Sequence, residues 1–542
     1  MSLKSNLIFL LFSAIVLSTY KYTQNLSPEF LMFFIQMMLL WFVMKIVYLL
    51  FPSLKTFVLV VLLIWGVAEA VWGLAQLYNF LPSKHALFKI TGSFFNPGPY
   101  GGFIALMLPL TLYFWLTFKY NKKWISYPFI LSGIVCLMAL PATLSRTAWI
   151  AAIAGCLLVI ATNKRLTQRF RVFIRRHKPQ VLVYSIALCF ILTIGSIGIY
   201  HLKKDSADGR LLMWKITTMA ITKSPLKGVG LGGFPIAYAD AQIDYFKEGK
   251  ASQTEKFVAG SPEYAFNEYL QIALEQGIIG LIVFLFLSFI IIKEGINNKQ
   301  MGAAGSFTAL AVFAFASYPY QLWQFPIVWV LLGTVCTAKP SKKNTKTFYN
   351  GWKKIVAYSL LLGVLSFFSI SCAYRQKAFY LAKDEWKKLQ PLYNMKAYSN
   401  ITSNYEELYP ILNHNPKFIF EYGMVLNATG QLVEADAIFE RGLERSCDPM
   451  FYNVKGRNYH EMGKYNKAEE CYLKSTFLLP ERIYPYYLLT KLYADSANYH
   501  PAKMQEAALA VLEKEPKVHS MAINEMRDEV KKLLIEKETA NE

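Results

Sequence analysis

Two arginines lie at the edges of apolar segments, where a charged side chain is costly and usually serves a function. Arg146 occurs in the sequence SRTAW, and Arg210 occurs in the sequence GRLLMWK. A guanidinium group binds phosphate or carboxylate through paired hydrogen bonds, so Arg146 predicts an anion site that holds a bound phosphate or a protein carboxylate. Arg210 begins an apolar stripe, which predicts a helix along the outer membrane surface that leaves Arg210 able to point into a cavity. The stripe consists of Leu211, Leu212, Trp214, Ile216, Met219 and Ala220.

Acidic residues lead into a later apolar segment, in the sequence SPEYAFNEYLQIALEQGIIG at 261–280. Helix N-termini attract carboxylates, so Glu263 belongs either to a helix cap or to a functional site. Glu268 and Glu275 continue along the predicted helix, where capping does not explain them, and both are candidate functional acids. Glu69, in the sequence AEA of the third apolar segment, either pairs with Arg146 or takes part in catalysis.

The sequence GSFFNPGPYGG at 92–102 places Asn96 among glycines and prolines. Such a density of proline and glycine cannot continue a helix, which predicts a tight or re-entrant turn at the outer surface. This turn is either a structural elbow or a direct substrate ligand. A second glycine-rich stretch, PLKGVGLGGF at 225–234, does not follow a strand, which argues against a nucleotide-binding loop.

The elements that must position these side chains are mostly membrane-spanning helices. The chain has 542 residues, of which 54% are hydrophobic, and a net charge of +21. A bilayer-spanning helix needs about 20 apolar residues. The sequence predicts an all-α membrane domain of about eleven such helices over residues 1–372, with a long outer loop at about 201–266 and a bent hairpin around Pro319 and Pro326. The apolar stretches begin near residues 6, 29, 56, 100, 125, 146, 181, 268, 301, 321 and 355.

The distribution of charge indicates the orientation of this domain. Residues 1–372 contain 34 Lys+Arg and 12 Asp+Glu, a net charge of +22, whereas residues 373–542 contain 23 and 24, a net charge of −1. The basic residues cluster in every second loop, as they do in cytoplasmic loops. The N-terminus is therefore predicted to be cytoplasmic, with everything after the last span outside. The basic cluster at 164–178 is then topogenic, and no nucleic-acid partner is expected.

Residues 373–542 show a repeating pattern of small and aromatic residues at offsets of 33 and then 34 residues. The first unit carries Gly423, Gly430, Ala435 and Phe439, the second Gly456, Gly463, Ala468 and Tyr472, and the third Ala497, Tyr499 and Ala502. This period resembles tetratricopeptide repeats. It predicts a soluble α-solenoid outside the membrane that binds an acceptor or a protein partner. A helical cap that only packs on the membrane domain is the alternative.

Four motifs occur in a fixed order along the chain. They are the asparagine-containing turn, SRTAW, the Arg210 segment with PLKGVGLGGF, and NEYLQIALEQGIIG. Together they resemble the O-antigen ligase and O-antigen polymerase superfamily, which also includes bacterial protein O-oligosaccharyltransferases, over about residues 60–340. The resemblance implies a glycosyltransferase of the bacterial inner membrane that needs no metal or other cofactor. Such enzymes transfer a glycan from undecaprenyl diphosphate, at the outer face, to a lipid A-core sugar, a growing glycan or a protein hydroxyl. The two arginines that hold the diphosphate in this family match Arg146 and Arg210, and Asn96, Asn267 and Glu69 are supporting candidates.

One position departs from the family pattern. Ligases of this superfamily carry His before Asn in His-Asn-x9-Gly-x-x-Gly, and that His is the proposed general base. Asn267, Gly277 and Gly280 fit the pattern here, but Phe266 occupies the His position and cannot accept a proton. The catalytic base is then Glu268 or Glu263, unless the diphosphate leaves without a base or the chain is inactive. A glycan ligase is the leading hypothesis, and a polysaccharide polymerase and a non-catalytic scaffold built around the repeats are the alternatives.

Overall fold

The computed structural model describes residues 3–22, 28–119, 123–177, 180, 204–339, 345–517 and 519–539. Within these ranges the regular elements are helices, as the sequence predicts. The first thirteen are α1 (Leu3–Tyr22), α2 (Pro28–Leu50), α3 (Leu54–Leu77), α4 (Pro97–Phe118), α5 (Lys123–Ala142), α6 (Arg146–Thr162), α7 (Lys164–Arg176), α8 (Lys204–Lys223), α9 (Phe234–Lys247), α10 (Gln253–Val258), α11 (Glu268–Asn297), α12 (Met301–Ala314) and α13 (Gln324–Thr337).

A 50-residue helix, α14 (Thr345–Asn394), contains the predicted domain boundary at residue 372 and leads into the C-terminal helices. No helix end marks that boundary. The C-terminal helices are α15 (Thr402–Leu412), α16 (Pro416–Ala428), α17 (Leu432–Leu443), α18 (Pro449–Glu461), α19 (Tyr465–Leu478), α20 (Ile483–Ala494), α21 (Pro501–Glu513) and α22 (Met521–Thr539).

The length and apolar composition of several of these helices indicate that the chain is a membrane protein. In the described part of the chain, five helices are long and apolar enough to cross a bilayer, or six if the bent pair α6 and α7 forms one span. Shorter apolar helices lie at Lys4–Tyr20, Met301–Ala314 and Gln324–Thr337. The last two flank a 3-10 turn at Pro319–Gln321, so the predicted hairpin is confirmed. Helices begin within about ten residues of ten predicted starts. The span predicted near residue 181 lies outside the described residues, and the total of about eleven stays a prediction.

Small residues let the membrane helices approach one another closely. A Cβ added to Gly155 of α6 would lie 2.6 Å from the carbonyl oxygen of Gly305 on α12, and one added to Gly102 of α4 would overlap the ring of Phe313. Contacts of this kind stabilise helix pairs in lipid, where no hydrophobic effect drives association. Both contacts pack α4 and α6 closely against α12.

The segment at 204–266, which is the described part of the predicted outer loop, forms a compact helical unit from α8, α9 and α10. Leu212, Ile216 and Ala220 of α8 are buried in one apolar cluster with Phe234 and Tyr238 of α9. The apolar stripe of α8 therefore faces protein, and the expectation that it lies along the membrane surface is wrong for these three residues. The physical reason is that α9 offers a complementary apolar face, which sequence periodicity alone does not reveal.

The C-terminal helices pack as consecutive pairs. Gly423 of α16 lies against the ring of Phe439 on α17, and Gly456 of α18 lies against the ring of Tyr472 on α19. These are matching positions of the predicted repeat, where a small residue admits an aromatic side chain from the partner helix. The packing supports the repeat interpretation, and the assignment to tetratricopeptide repeats stays a prediction.

The C-terminal region rests on the outer loop through polar and apolar contacts. Gln242 donates a hydrogen bond from Nε2 to the carbonyl oxygen of Leu478 at 2.6 Å, and Lys517 donates from Nζ to the carbonyl oxygen of Ala259 at 2.8 Å. Cys447, Leu478 and Leu479 join the apolar cluster of α8 and α9. The orientation of this region is therefore set by the loop between the membrane helices.

Candidate functional site

A cavity of about 440 Å³ opens between the turn at 92–102, the start of α6, and α8. Three of the predicted site residues line it, namely Asn96, Arg146 and Arg210. Segments far apart in sequence thus contribute to one site. The shared cavity is the first observation that links the two arginines to a common ligand.

Two helices also begin at this cavity. Asn96 is the N-cap of α4, and its Oδ1 accepts a hydrogen bond from the backbone nitrogen of Gly98 at 2.9 Å. Ser145 precedes the first residue of α6, Arg146, and makes no capping hydrogen bond with its side chain. The N-terminus of a helix carries a partial positive charge and N–H groups without helical partners. Both helix ends therefore add to the anion-binding character of the two guanidinium groups.

The Arg210 side chain is held by its surroundings. Its Nη1 donates a hydrogen bond to the carbonyl oxygen of Ala316 at 3.0 Å, and its Cζ lies 5.6 Å from the ring centroid of Phe266. Burial, and then the nearby positive charge of Arg146, lower the pKa of the Arg210 guanidinium from its ordinary value. Arginine remains protonated in proteins, so two positive charges repel each other here. An anion bound between them would relieve that repulsion.

Glu69 lies beneath the 92–102 turn and holds its backbone. The carboxylate is buried, and its Oε2 accepts a hydrogen bond from the backbone nitrogen of Ser93 at 2.9 Å. Gln76, two turns further along α3, accepts from the backbone nitrogens of Thr91 at 2.9 Å and Gly92 at 2.7 Å. These contacts give Glu69 a structural role in shaping the turn that carries Asn96.

A second cavity, of about 510 Å³, contains the acidic residues. Glu263, Glu268 and Glu275 line it. A largely aromatic wall comes from α1, α2, α11 and α13, and residues of the C-terminal region also line the cavity. The aromatic residues include Phe9, Phe12, Phe34, Phe284 and Trp329. One end of this cavity is therefore acidic and the other apolar.

The three acids differ in burial. Glu268 is 2% exposed, and its Oε1 accepts a hydrogen bond from the backbone nitrogen of Tyr320 at 2.7 Å. Glu275 is 4% exposed and accepts from Gln271 Nε2 at 3.0 Å. Glu263 is exposed and lies in the loop before α11.

The N-cap of α11 is Asn267, not Glu263. Asn267 Oδ1 accepts hydrogen bonds from the backbone nitrogens of Tyr269 at 3.0 Å and Leu270 at 3.2 Å. The capping interpretation of Glu263 is therefore wrong, because the asparagine next to the helix already satisfies its first N–H groups. Asn267 itself has this structural role.

The segment before α11 contributes residues to both cavities. Pro262 and Phe266 line the arginine-containing cavity, whereas Glu263, Tyr264 and Glu268 line the acidic one. The structure thus does not bring the predicted acids and arginines into one cavity, and places them on the two sides of one segment.

Phe266 has a φ of 49°, a left-handed conformation that costs a non-glycine residue about 1–2 kcal/mol. Strain of this kind is concentrated at functional sites. The Phe266 ring meets the ring of Tyr318 edge-on at 4.7 Å, and Tyr264 stacks on the other side of Tyr318 at 5.6 Å. Sequence reasoning missed Tyr318, because it belongs to the hairpin between α12 and α13 and nothing in its local sequence links it to residue 266.

The glycine-rich stretch at 225–234 pairs with a kink in α11. Gly277 has a φ of 73°, and a Cβ there would collide with the carbonyl oxygen of Leu226. Ile278 donates a backbone hydrogen bond to Pro225 at 2.8 Å, and Val229 donates one to Leu274 at 2.8 Å. The two motifs therefore form one backbone-paired unit, which places Glu275 at the acidic cavity. Among the described residues, no group of three His, Cys, Asp or Glu side chains could hold a metal ion.

Residues 131–285 match the family model described as O-Antigen ligase. A protein of Rickettsia conorii named "Putative polysaccharide ligase" is 30% identical over 151 residues, which cover 26% of this chain and 34% of that protein. A Rickettsia felis protein of the same name is 31% identical over 155 residues, which cover 26% of this chain and 35% of that protein. The chain thus spans about a third of the length of these curated relatives. The family match includes Arg146, Arg210 and the three acids of the second cavity, and ends before the C-terminal region.

Proposed function

We propose that this protein is a membrane glycosyltransferase of the ligase type. It transfers a glycan from undecaprenyl diphosphate to a hydroxyl group of a lipid A-core sugar or a protein, at the outer face of the bacterial inner membrane. The observation that carries the proposal is the convergence of Arg146, Arg210 and the N-termini of α4 and α6 on one cavity. Both arginines lie in the segment similar to O-antigen ligases.

The arginine-containing cavity suits the diphosphate of the donor. The acceptor hydroxyl oxygen attacks the anomeric carbon of the glycan, and the bond between that carbon and the diphosphate oxygen breaks. The electron pair leaves with undecaprenyl diphosphate, whose added negative charge Arg146 and Arg210 stabilise. Two guanidinium groups can supply this stabilisation without a metal ion, because each binds phosphate oxygens through a planar pair of donors.

The proton of the acceptor hydroxyl needs a base, and Phe266 cannot provide one. We assign that role to Glu268, with Glu263 as the second candidate. Glu268 is buried beside Tyr320 and lies one residue after the segment that separates the two cavities. A carboxylate removed from water is a stronger base than an exposed one, which favours Glu268 over the exposed Glu263.

The proposed topology places the N-terminus in the cytoplasm and the C-terminal region outside. The C-terminal repeats then bind the acceptor or a protein partner on the side where transfer occurs. The donor lipid enters from the membrane.

Substitution of each arginine by alanine tests the proposal in cells that lack the native gene. Arg146→Ala and Arg210→Ala are each expected to reduce glycan transfer by at least about 100-fold, the usual cost of losing one transition-state donor. Lys250→Ala is the matched control, since Lys250 is an exposed cation of the outer loop that pairs only with Glu248 among the described residues. Intact glycan transfer in both arginine variants would overturn the proposal and would favour the non-catalytic scaffold.

A polymerase that extends a lipid-linked glycan is the second candidate function. The second cavity favours it, because its aromatic walls lie on membrane helices and suit the lipid of a second carrier molecule. Mass spectrometry of a deletion strain separates the two functions. Loss of a ligase leaves long lipid-linked chains unattached, whereas loss of a polymerase leaves single lipid-linked units.

A further inference from the structure

We infer that the C-terminal region is part of the substrate site, because the turn between α17 and α18 closes the acidic cavity. Arg445 in this turn binds the saccharide head of the acceptor. The inference rests on the proposed function and deepens it, since it assigns the two cavities to two substrates. It also gives the C-terminal region a direct role in acceptor selection.

The wall of the acidic cavity is built in part by residues that follow the last membrane helix. Pro416, at the start of α16, lines this cavity, as do Arg445, Ser446 and Cys447. Cys447 donates a hydrogen bond from Sγ to the carbonyl oxygen of Pro262 at 3.4 Å. The turn thus lies directly against the segment that carries Glu263 and separates the two cavities.

This wall is held in place from several directions. Gln242 of the loop donates a hydrogen bond to a backbone carbonyl oxygen of the C-terminal helices, and Lys517 of the C-terminal region donates one to a backbone carbonyl oxygen of the loop. These two hydrogen bonds anchor the C-terminal helices to the loop. Gln253 adds a hydrogen bond from Nε2 to Glu481 Oε1 at 3.2 Å. Burial of Cys447 in the apolar cluster of the loop fixes the turn itself. A fixed wall can discriminate between ligands, because it does not adapt to a poor fit.

Charge decides which substrate each cavity holds. Two guanidinium groups line the arginine-containing cavity and attract a diphosphate, whereas the acidic cavity has three acidic side chains and a single cation among the described residues that line it. Carboxylates accept hydrogen bonds from sugar hydroxyls, and amide groups both accept and donate them. Gln271, Gln276 and Gln321 provide the amides. The acidic cavity therefore takes a hydroxyl-rich acceptor whose apolar part lies on the aromatic walls.

Arg445 is the only positively charged residue among the described residues that line this cavity. A guanidinium group can donate hydrogen bonds to the hydroxyl oxygens of a sugar. Arg445 belongs to the C-terminal part of the cavity wall, whereas the aromatic residues lie on the membrane helices. Replacement of Arg445 should therefore weaken acceptor binding and leave the diphosphate site intact.

The experiment uses the full chain in phospholipid nanodiscs and a photoreactive alkyl maltoside as the acceptor probe. After illumination, peptides that carry the label are identified by mass spectrometry, with excess unreactive alkyl maltoside as competitor. The wild-type protein is expected to be labelled, in a competed manner, on the peptide that contains residues 445–447. Ser446→Trp, which fills the cavity, and Arg445→Ala are each expected to reduce this labelling by about tenfold.

Arg441→Ala is the matched control, because Arg441 lies one turn earlier on α17 and is half exposed to solvent. The Arg441→Ala variant should be labelled on the 445–447 peptide as strongly as the wild type. Melting temperatures identify a variant that fails to fold. If Ser446→Trp does not fold, the test rests on Arg445→Ala alone. Labelling that is absent from the 445–447 peptide, or unchanged in the Arg445 variant, overturns the inference. Failure of the proposed function is distinguishable, because it is read from glycan transfer by the Arg146 and Arg210 variants in cells.

Discussion

Replacement of Glu268 by glutamine tests the assignment of the base. The two side chains have nearly the same shape, and the glutamine Oε1 can still accept the hydrogen bond that Tyr320 donates at 2.7 Å. The substitution removes the ability to take a proton. It therefore separates a chemical role of the carboxylate from its structural role at the start of α11.

The expected magnitude follows from the chemistry and the burial of this side chain. Loss of a general base usually costs about 10²- to 10⁴-fold in rate, which corresponds to about 2.7–5.4 kcal/mol of transition-state stabilisation. The change in folding stability should be small, about 1 kcal/mol or less, because one hydrogen bond to a charged acceptor becomes one to a neutral acceptor. Glu268 is only 2% exposed, so water does not readily replace the lost base.

The assay measures glycan transfer per folded molecule in membranes that contain the full chain. Glu263→Gln is compared in parallel, since Glu263 is the second candidate base. Glu248→Gln is the control for loss of a carboxylate elsewhere in the chain, because Glu248 is exposed and lies outside both cavities. Full activity of Glu268→Gln with an unchanged melting temperature would refute the assignment, and a loss confined to Glu263→Gln would transfer the role to Glu263.

Two further predictions concern stability. Gly277→Ala should lower the melting temperature of the purified chain, because alanine is strained at a φ of 73° and its Cβ would collide with the Leu226 carbonyl oxygen. An unchanged melting temperature would contradict the kink described for α11. Burial, and then the positive charge of Arg445, lower the pKa of His414 from 6.5 to about 4 in the folded protein. The unfolded chain then binds a proton at a higher pH than the folded one. The folding stability should therefore decrease as the pH is lowered from 6.5 to 4. A His414→Gln variant should lose this part of the pH dependence of the melting temperature.

Much of the architecture follows from local sequence. Runs of about 20 apolar residues predict the helices of the membrane domain, since lipid leaves a spanning segment no other way to satisfy its backbone. Small residues at Gly423 and Gly456 predict the close helix pairs of the C-terminal region, because the aromatic partner follows at a fixed offset of 16 residues. Patterns of this kind involve neighbours in sequence and can be read without the fold.

The sequence identified the two arginines and the acidic residues, but only the tertiary structure decided how they are grouped. Arg146 and Arg210 are 64 residues apart, and helix packing brings them to one cavity with Asn96. The three acids lie together in a second cavity, and residues 262–268 contribute to both cavities. Phe266, which has a positive φ, lines the arginine-containing cavity.

The turn at 445–447 could not be linked to the site from sequence. It lies in a region separated from the membrane domain by the long helix α14, and its residues carry no motif. Its position depends on the sum of contacts between the C-terminal helices and the outer loop, including those of Gln242 and Lys517. Long-range packing of this kind sets which side chains share a cavity, whereas local sequence sets only where each helix begins and ends.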